Sequence, residues 1–247
     1  MRLLTDLAPC DARRGLAIDE ALFESVRSGA SDAIRLWIDD RAIIVGRSQA
    51  VVDEVDLESA TSDGVPVLRR ISGGGTVYHY PGNLNVSVVF QDGRCLGSVM
   101  EVFRVLGGAV AEGARALCDT VRSVDNDLLI GEAKVGGAAQ ARRGSALLYH
   151  TTLLVGSTDQ PMARWLLALR PDYDPTRVAS RPRATISLEE AINGAVRMMS
   201  LGMSVVGALS RQLSERPVAA SLDAEEAARA EDLAEMKYGD SAWNRLL

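Results

Sequence analysis

Apolar and polar residues alternate in some stretches of the chain and follow a period of three to four residues in others, which separates predicted strands from predicted helices. Between residues 84 and 90 every second residue is apolar, which predicts a strand with one buried face. Residues 15–26 and 99–117 carry apolar side chains at helical spacing, the second after a Ser98–Glu101 pair typical of a helix N-terminus. Further strands are predicted at residues 34–38 and 42–45, which read as a hairpin, and at 66–71, 76–80, 127–130 and 145–155.

The last third of the chain has a different pattern. Helical spacing returns at residues 162–169, 188–213 and 224–236, and Ser187 with Glu190 forms a second predicted capping box. The arginine- and proline-rich residues 177–183 predict a linker or mobile loop. We therefore expect interleaved strands and helices up to about residue 155 and a helix-rich part over about 157–247.

The composition excludes several classes of protein. A net charge of −6 over 247 residues argues against a broad nucleic-acid or anionic-membrane surface, and no apolar run reaches the roughly 18 residues of a membrane span. The cysteines, Cys10, Cys95 and Cys118, lack zinc-ligand spacing and cannot all pair with one another, and two histidines are too few for a three-histidine metal site. These features predict a soluble cytoplasmic protein.

Three glycines follow two arginines in the segment Arg69-Arg70-Ile71-Ser72-Gly73-Gly74-Gly75-Thr76-Val77-Tyr78-His79. Glycines allow positive φ angles and let backbone N–H groups approach a phosphate, while arginines neutralise its charge. The spacing matches neither a Walker loop nor a dinucleotide fingerprint. The segment predicts an anion-binding loop, although a flexible hairpin turn between solvent-exposed arginines explains it equally well.

Lysine is rare in this chain, because only Lys134 and Lys237 are lysines among 27 basic residues. Lys134 lies on an apparent strand, and residues 136–139 after it are all glycine or alanine, which leaves room for a ligand. An ammonium group is a compact donor that can reach between two oxygens, unlike a planar guanidinium. We favour a role for Lys134 in binding or catalysis over that of an ordinary exposed strand lysine.

Histidine and cysteine give weaker signals. His79 and His150 each lie in an apolar or aromatic strand, where a histidine is more often a hydrogen-bonded core residue than a catalyst. Cys118 ends an amphipathic helix and is expected to be a small core residue, but its closeness to Asn126 in sequence leaves a nucleophilic role open. No Gly-x-Ser-x-Gly elbow supports serine-hydrolase chemistry.

The motifs together resemble those of lipoate-protein ligases. The similar segments, in order along the chain, are residues 17–22, 44–49, 69–79, 82–85, 126–127, 134–140, 150–153 and 237–244. This resemblance implies an α+β, class II synthetase-like fold of the biotin/lipoate ligase type, with a bent, largely antiparallel sheet and flanking helices. It also implies a single catalytic domain over residues 1–247 that lacks the small carboxy-terminal accessory domain of many relatives.

The activity implied by the resemblance has two steps. Lipoate, or octanoate, reacts with ATP and Mg²⁺ to give an acyl-adenylate, and a lysine of a lipoyl-domain or glycine-cleavage-H-like carrier protein then takes the acyl group. A separate small accessory subunit is expected to supply the missing domain, and the isolated chain should then activate lipoate poorly.

The same resemblance assigns the site residues. Lys134 is the expected catalytic donor between the carboxyl oxygen and the α-phosphate. The residues expected to bind the nucleotide or adenylate are Arg70, Gly73, Gly74, Gly75, Thr76, Val77, Tyr78, His79, Asn83, Asp127 and Lys134. Those expected to bind lipoate are Arg70, Gly75, His79, Lys134, Gly136, Gly137, Ala138 and His150. No metal ligands are assigned.

Departures from the family pattern leave alternatives open. Serines are frequent in the family where Gly136 and Ala138 stand, and Asp-Leu where Tyr80-Pro81 stands, so the preferred acyl chain is not fixed. One alternative function is an ATP-independent octanoyltransferase that uses Cys118 as its nucleophile. Another is a non-catalytic subunit that binds an acyl group or a carrier. Biotin ligation fits less well, because the glycine motif does not have the biotin-ligase form.

Overall fold

Two sheets form the centre of the computed structural model, which describes residues 1–91 and 97–247. Their strands are β1 (Arg2–Cys10), β2 (Ala33–Asp39), β3 (Ala42–Val45), β4 (Val67–Arg69), β5 (Val77–His79), β6 (Asn83–Gln91), β7 (Arg122–Val124), β8 (Asp127–Ile130), β9 (Ala133–Arg143), β10 (Ala146–Leu154) and β11 (Val218–Ala219). The larger sheet has the order β11-β1-β2-β6-β10-β9-β8-β7, and the smaller one β4-β3-β5. In the larger sheet β1 is parallel to both of its neighbours and every other pair is antiparallel. The structure thus has the largely antiparallel α+β architecture that the sequence predicts.

Helices cover both faces of the larger sheet. The α-helices of the described residues, which include those around the smaller sheet, are α1 (Ala12–Arg27), α2 (Val51–Glu54), α3 (Leu57–Ser62), α4 (Val99–Val102), α5 (Gly108–Ala114), α6 (Met162–Trp165), α7 (Leu188–Ile192), α8 (Met198–Leu213), α9 (Ala224–Leu233) and α10 (Ser241–Asn244). Helix α5 packs with α8 on one face, and α1 packs with α9 on the other. None of the helices in the described part of the chain is long and apolar enough to cross a membrane.

Alternation along β10 divides its side chains between these two faces. Leu147, Tyr149 and Leu153 join the core under α5 and α8, whereas Leu148 joins the core under α1. His150 is also on the side of α1, where its ring contacts Asp19. We call these the α5/α8 face and the α1 face; a residue directly opposite one of these in the ladder shares its face.

Three predictions about the elements are wrong. The predicted helix over residues 162–169 is interrupted at Leu166, whose backbone is extended (φ −94°, ψ 108°), between α6 and a 3-10 turn at Leu167–Leu169. Strands β2 and β3 do not pair as a hairpin, because β2 pairs with β1 and β6 in the larger sheet while β3 pairs with β4 and β5 in the smaller one. Both strands are buried along their whole length, so the turn at residues 40–41 carries the chain from one buried sheet to the other. The predicted helix over residues 188–213 is divided, since Asn193 adopts a left-handed conformation (φ 49°) that ends α7.

Other predictions of the elements are confirmed. Helix α1 and strand β6 lie where the apolar periodicity places them, although β6 is buried on both faces and not on one, and Ser187 and Glu190 form a reciprocal capping box. The predicted helix after Ser98 begins as expected but passes through a π-helical turn at Phe103–Gly107 before α5. Residues 177–183 contain no helix or strand, as expected for a loop, but this segment is fastened to the rest of the molecule at several points.

Candidate active site

The glycine loop, residues 70–76 between β4 and β5, is shaped by one buried arginine. The Arg70 guanidinium donates from Nη2 to the carbonyls of Gly73 (2.5 Å) and Gly75 (2.8 Å), from Nη1 to Ile44 (3.1 Å) and from Nε to Ser72 Oγ (3.0 Å). Only 5% of Arg70 is exposed, and burial lowers its pKa to about 10. No carboxylate of the described residues pairs with it. The loop therefore encloses a cation balanced only by backbone and hydroxyl dipoles, which favours binding of an anion.

The surroundings of each glycine show which side of this loop is open. A Cβ atom at Gly73 would have no neighbour within 4 Å, so free space lies beside it. Gly74 has a φ of +85°, which glycine adopts without strain, and a Cβ at Gly46 would lie only 2.0 Å from its carbonyl oxygen. On the other side, a Cβ at Gly75 would lie 3.0 Å from Ser180 Oγ. The loop is thus packed against Gly46 and Ser180 and is open beside Gly73.

Residues 173–186, which we call the strap, hold this loop from outside. Ser180 Oγ accepts a hydrogen bond from the backbone N–H of Thr76 (2.9 Å) and another from Gln49 Nε2 (3.1 Å), and donates to Glu54 Oε2 (2.5 Å). The Tyr173 hydroxyl donates to Glu54 Oε1 (2.5 Å), as does the N–H of Ser180 (3.3 Å). A buried glutamate on α2 therefore anchors the strap, and the strap anchors the glycine loop.

The other end of the strap lies against Lys134. The Lys134 N–H donates to the carbonyl of Ala184 (2.8 Å), and the N–H of Ile186 donates to the carbonyl of Lys134 (3.0 Å). The Lys134 ammonium lies 2.7 Å from Asp127 Oδ1, and the guanidinium of Arg183, on the strap, lies 3.2 Å from Asp127 Oδ2. The strap thus touches both of the segments in which the sequence predicts chemistry.

The missing side chain of Gly137 makes room for this lysine. A register shift in the β8–β9 ladder follows the pair of Gly136 with Leu128, and a Cβ at Gly137 would lie 2.9 Å from both Cε and Nζ of Lys134. Gly137 is opposite Thr152 and Ala139 is opposite His150, so both are on the α1 face. The Lys134 ammonium therefore lies across the α1 face at the end of β9.

His150 connects this face with helix α1 and the glycine loop. Its Nδ1 lies 3.2 Å from Asp19 Oδ2, and its Nε2 lies 2.6 Å from Ser72 Oγ. Burial lowers the pKa of His150 and outweighs the opposing effect of Asp19. Burial alone would raise the pKa of Asp19, but hydrogen bonds and charge from His150, Arg35 and Ser87 together hold it below its usual value.

His79 belongs to a second buried group of polar side chains. Its Nδ1 lies 2.7 Å from Asp39 Oδ2 and its Nε2 lies 3.1 Å from Thr152 Oγ1, which donates to Asn85 Oδ1 (2.7 Å). Burial raises the pKa of Asp39, although the contact with His79 opposes the shift. Both histidines are thus hydrogen-bonded within the core, as their sequence context predicts.

The remaining predicted residues are divided between the site and other parts of the fold. Gly136 and Ala138 are opposite Leu153 and Thr151, so they lie on the α5/α8 face and not beside His150. The Tyr78 ring packs against Trp165 in a separate core cluster, away from the glycine loop. The residues that lie together around the strap and the α1 face are Arg70, Gly73, Gly74, Gly75, Thr76, Asp127, Lys134, Gly137 and His150. Val77, His79 and Asn83 continue from the loop through β5 into β6.

Sequence reasoning missed several polar residues of this region. Asp19 and Ser72 bind His150, Asp39 binds His79, and Glu54 and Ser180 hold the strap. Asp19 gave a signal that could have been used, because it is a charged residue within the otherwise apolar face of a predicted helix. A charged side chain is rarely buried unless it has a hydrogen-bonding or oppositely charged partner.

Neither of the two described cysteines is hydrogen-bonded to a histidine or a lysine, and the Cys10 thiol donates to Asp39 Oδ1 (3.9 Å). The contact of the Cys118 thiol is with Thr120 Oγ1 (3.3 Å), and the side chain packs against the core of the α5/α8 face. Burial raises the pKa of Cys10 to about 12, which leaves it protonated near neutral pH. Cys95 lies outside the described residues.

The described side chains do not form a metal site by themselves. Within residues 1–91 and 97–247 no group of three or more histidines, cysteines, aspartates and glutamates could hold a metal ion. Both oxygens of Asp127 face cationic side chains, Lys134 and Arg183. The arrangement does not fit a Mg²⁺ cage built by the protein alone.

Comparison with known proteins identifies similar chains over nearly the whole length. Residues 11–210 match the family model of the lipoyl protein ligase A/B catalytic domain. The lipoate-protein ligase A subunit 1 of Thermoplasma acidophilum is 29% identical over 263 residues, which cover 98% of this chain and 95% of that protein. The octanoyltransferase LipM of Symbiobacterium thermophilum is 28% identical over 257 residues, 93% of this chain and 92% of that one.

Two solved structures have the same fold. The bipartite lipoate protein ligase of Thermoplasma acidophilum, studied with its E2 lipoyl domain, superimposes with a TM-score of 0.85 at 29% identity and covers 100% of this chain and 96% of its own. A lipoate-protein ligase A bound with ATP superimposes with a TM-score of 0.83 at 28% identity, covering 100% and 99%.

Proposed function

Because the chain belongs to the lipoyl protein ligase A/B catalytic domain family, we propose that it activates lipoate, or octanoate, with ATP and transfers the acyl group to a carrier lysine. The observation that carries this proposal is that one strap contacts both the glycine loop, with its buried Arg70 cation and open space beside Gly73, and the strand end that carries the Lys134 ammonium. A loop with an enclosed cation and a second cation held on the neighbouring strand suit a reaction between a carboxylate and a phosphate ester.

In the first step a carboxylate oxygen of the acid attacks the α-phosphorus of ATP, the bond to the β-phosphate oxygen breaks, and pyrophosphate leaves. Negative charge accumulates on the oxygens around phosphorus, and donors fixed before the reaction stabilise it most. The Lys134 ammonium supplies such a donor once it exchanges Asp127 for the reacting oxygens. Arg70 holds the loop carbonyls, so its charge acts from beneath the loop.

In the second step the amine of a carrier lysine attacks the acyl carbonyl, AMP leaves, and the amine loses a proton to give an amide. The acyl chain would lie along the small residues Gly137, Ala139 and Ala141 of β9, which share the α1 face. Strand geometry places the first and last of these about 13 Å apart. This contact replaces the one expected at Gly136 and Ala138.

We also propose protein partners for both steps. A lipoyl-domain or glycine-cleavage-H-like carrier is the acceptor, and a small accessory protein completes the enzyme. The name of the Thermoplasma relative as subunit 1 and the description of its ligase as bipartite support this proposal. Mg²⁺ would enter with the ATP phosphates, because the described residues offer no cage of their own.

The function is tested by incubating the chain with ATP, lipoate and a lipoyl-domain carrier, with and without a candidate accessory protein. Pyrophosphate release and the mass of the carrier are measured. We expect both products only when ATP and lipoate are present, and much faster with the accessory protein. Efficient adenylation by the chain alone would remove the need for that partner, whereas acylation of the carrier without ATP would refute the ligase proposal.

An ATP-independent octanoyltransferase is the second candidate, because LipM is similar over 93% of this chain. Such an enzyme needs an activated nucleophile, and the described surroundings of Cys118 provide neither a histidine nor a lysine. Replacement of Cys118 by serine should therefore leave acylation unchanged. Loss of activity in Cys118→Ser would favour the transferase. Acyl or carrier binding that Lys134→Ala leaves unchanged, with no pyrophosphate release by wild type, would favour a non-catalytic acyl- or carrier-binding subunit.

A further inference from the structure

A continuous row of five polar side chains passes beneath the glycine loop. Arg35 Nη1 donates to Asp19 Oδ1 (2.8 Å), Asp19 Oδ2 meets His150 Nδ1 (3.2 Å), His150 Nε2 meets Ser72 Oγ (2.6 Å), and Ser72 Oγ accepts from Arg70 Nε (3.0 Å). All are buried except for a small exposed part of His150. The row joins α1 to a loop more than fifty residues away in the sequence.

The hydrogen-bond partners at the Asp19 end determine which atoms donate. Asp19 also accepts a hydrogen bond from the Ser87 hydroxyl (2.6 Å), so its two oxygens face three donors. The pKa of Asp19 lies below its usual value, which keeps it a carboxylate that can only accept. His150 must therefore carry its proton on Nδ1 and donate to Asp19.

The direction of donation then follows through to the glycine loop. Burial keeps His150 neutral near neutral pH, so a proton on Nδ1 leaves a lone pair on Nε2. The Ser72 hydroxyl donates to that lone pair, and its oxygen is free to accept from Arg70 Nε. The same guanidinium holds the carbonyls of Gly73 and Gly75 through Nη2.

We propose that Asp19 is a positioning residue of the site: it fixes His150 as the Nδ1–H tautomer, and through Ser72 and Arg70 it fixes the shape of the glycine loop. Asp19 need not contact the substrates for this role. The effect on acyl substrate binding rests on the proposed function, whereas the tautomer of His150 does not.

An asparagine at position 19 should reverse the direction of hydrogen-bond donation along this row. Its amide oxygen would face the charged Arg35 and its NH₂ group would face His150, because Arg35 can only donate. The NH₂ group would then donate to Nδ1, and the His150 proton would move to Nε2. Nε2–H and Arg70 Nε–H would both point at Ser72 Oγ, whose own hydrogen would have to turn away.

Nitrogen-15 NMR of the histidine rings at about pH 7.5 tests the tautomer directly. The chain has only two histidines, so a His79→Gln variant assigns both signals. We expect His150 in wild type to carry its proton on Nδ1, and in Asp19→Asn to carry it mainly on Nε2. A wild-type His150 protonated on Nε2 would overturn the proposal, and this result needs no variant of Asp19 that folds.

Steady-state kinetics test the link to the loop. In Asp19→Asn the KM for lipoate should rise about tenfold, the scale of one hydrogen bond to a charged group, while kcat changes less. Ser87→Ala is the matched control. It removes one hydrogen bond to Asp19 but leaves the contact of Asp19 with His150, so its KM for lipoate should stay near that of wild type. An unchanged KM in Asp19→Asn despite a reversed tautomer would overturn the role in the loop. Absence of ligase activity in wild type would instead refute the proposed function, and the NMR result would still decide the tautomer.

Discussion

Replacing Gly46 by alanine should displace the glycine loop. The new Cβ would lie 2.0 Å from the carbonyl oxygen of Gly74 and 3.0 Å from its carbonyl carbon, whereas ordinary contact begins at 3.4 Å. The two nearest neighbours are backbone atoms and the third is Gln49 Oε1 at 3.1 Å, so movement of a side chain alone cannot relieve the contact. One of the two backbone segments must therefore shift by more than about 1 Å.

The magnitude follows from the bonds that such a shift would break. Arg70 holds the carbonyls on either side of Gly74, those of Gly73 at 2.5 Å and Gly75 at 2.8 Å. A shift of that size lengthens at least one of them beyond a hydrogen bond. A hydrogen bond to a charged group contributes about 1.5–3 kcal/mol, so the free energy of unfolding should fall by about that amount. The KM for ATP and lipoate should rise about tenfold or more, because the loop loses its shape.

Urea denaturation and pyrophosphate release measure the two effects, with Gly73→Ala as the matched control. A Cβ at Gly73 meets nothing within 4 Å, and its backbone φ is not in the left-handed region. This variant should keep the wild-type stability, or gain slightly from a less flexible unfolded chain, and lose activity only through the added methyl group in the open space. The reasoning is refuted if Gly46→Ala has both the stability and the KM of wild type.

Three further changes test other parts of the structure. In Gly113→Ala the Cβ would lie 2.4 Å from Cα of Val205 on α8, so urea denaturation should show a loss of about 1–3 kcal/mol from overpacking, and equal stability would contradict the packing described. Because burial lowers the pKa of His150, its contribution to stability is complete above about pH 6.5 and is lost as the pH falls through the folded-state pKa, with a slope of at most about 1.4 kcal/mol per pH unit. Urea denaturation between about pH 7.5 and 5 should give a shallower slope in His150→Gln than in wild type, and equal slopes would argue against a buried neutral imidazole. In Glu54→Gln the new NH₂ group would face the donors of the strap and weaken its anchoring by about 1–3 kcal/mol, so limited proteolysis should cut the strap faster; an unchanged rate would show that Glu54 does not anchor it.

Local patterns predicted the elements whose residues pack in a regular way. The alternation in β6 and the helical stripe of α1 each gather apolar residues on one face, which the sequence displays directly, although the structure buries both faces of β6 and all of residues 15–23 of α1. The glycine run and Lys134 were also identified, because the geometry that glycine permits and the rarity of lysine are properties of the residues themselves. The glycine run and Lys134 are therefore the parts of the candidate site that the sequence alone predicts.

Local patterns do not predict contacts between residues that are far apart in the chain. Strands β2 and β3 have the spacing of a hairpin, but pairing with strands elsewhere in the chain places them in two different sheets. Asp19 meets His150 across 131 residues, and Ser180 meets Thr76 across 104. A polar residue shows by its type that it needs a partner when buried, but the partner depends on how the elements pack. The strap illustrates this, because its composition predicts a loop while its anchoring comes from a glutamate on α2.

The central claim is that the Lys134 ammonium stabilises the formation of an acyl-adenylate. Its most direct test is the rate of lipoate-dependent pyrophosphate release by wild type, Lys134→Ala and Lys134→Arg, with the accessory protein present and with equal stability of the three proteins confirmed by urea denaturation. We predict that Lys134→Ala is slower by about 100-fold or more, and that Lys134→Arg does not restore the rate, because a planar guanidinium cannot replace a compact ammonium group above Gly137. A Lys134→Ala protein that releases pyrophosphate at the wild-type rate would contradict the account.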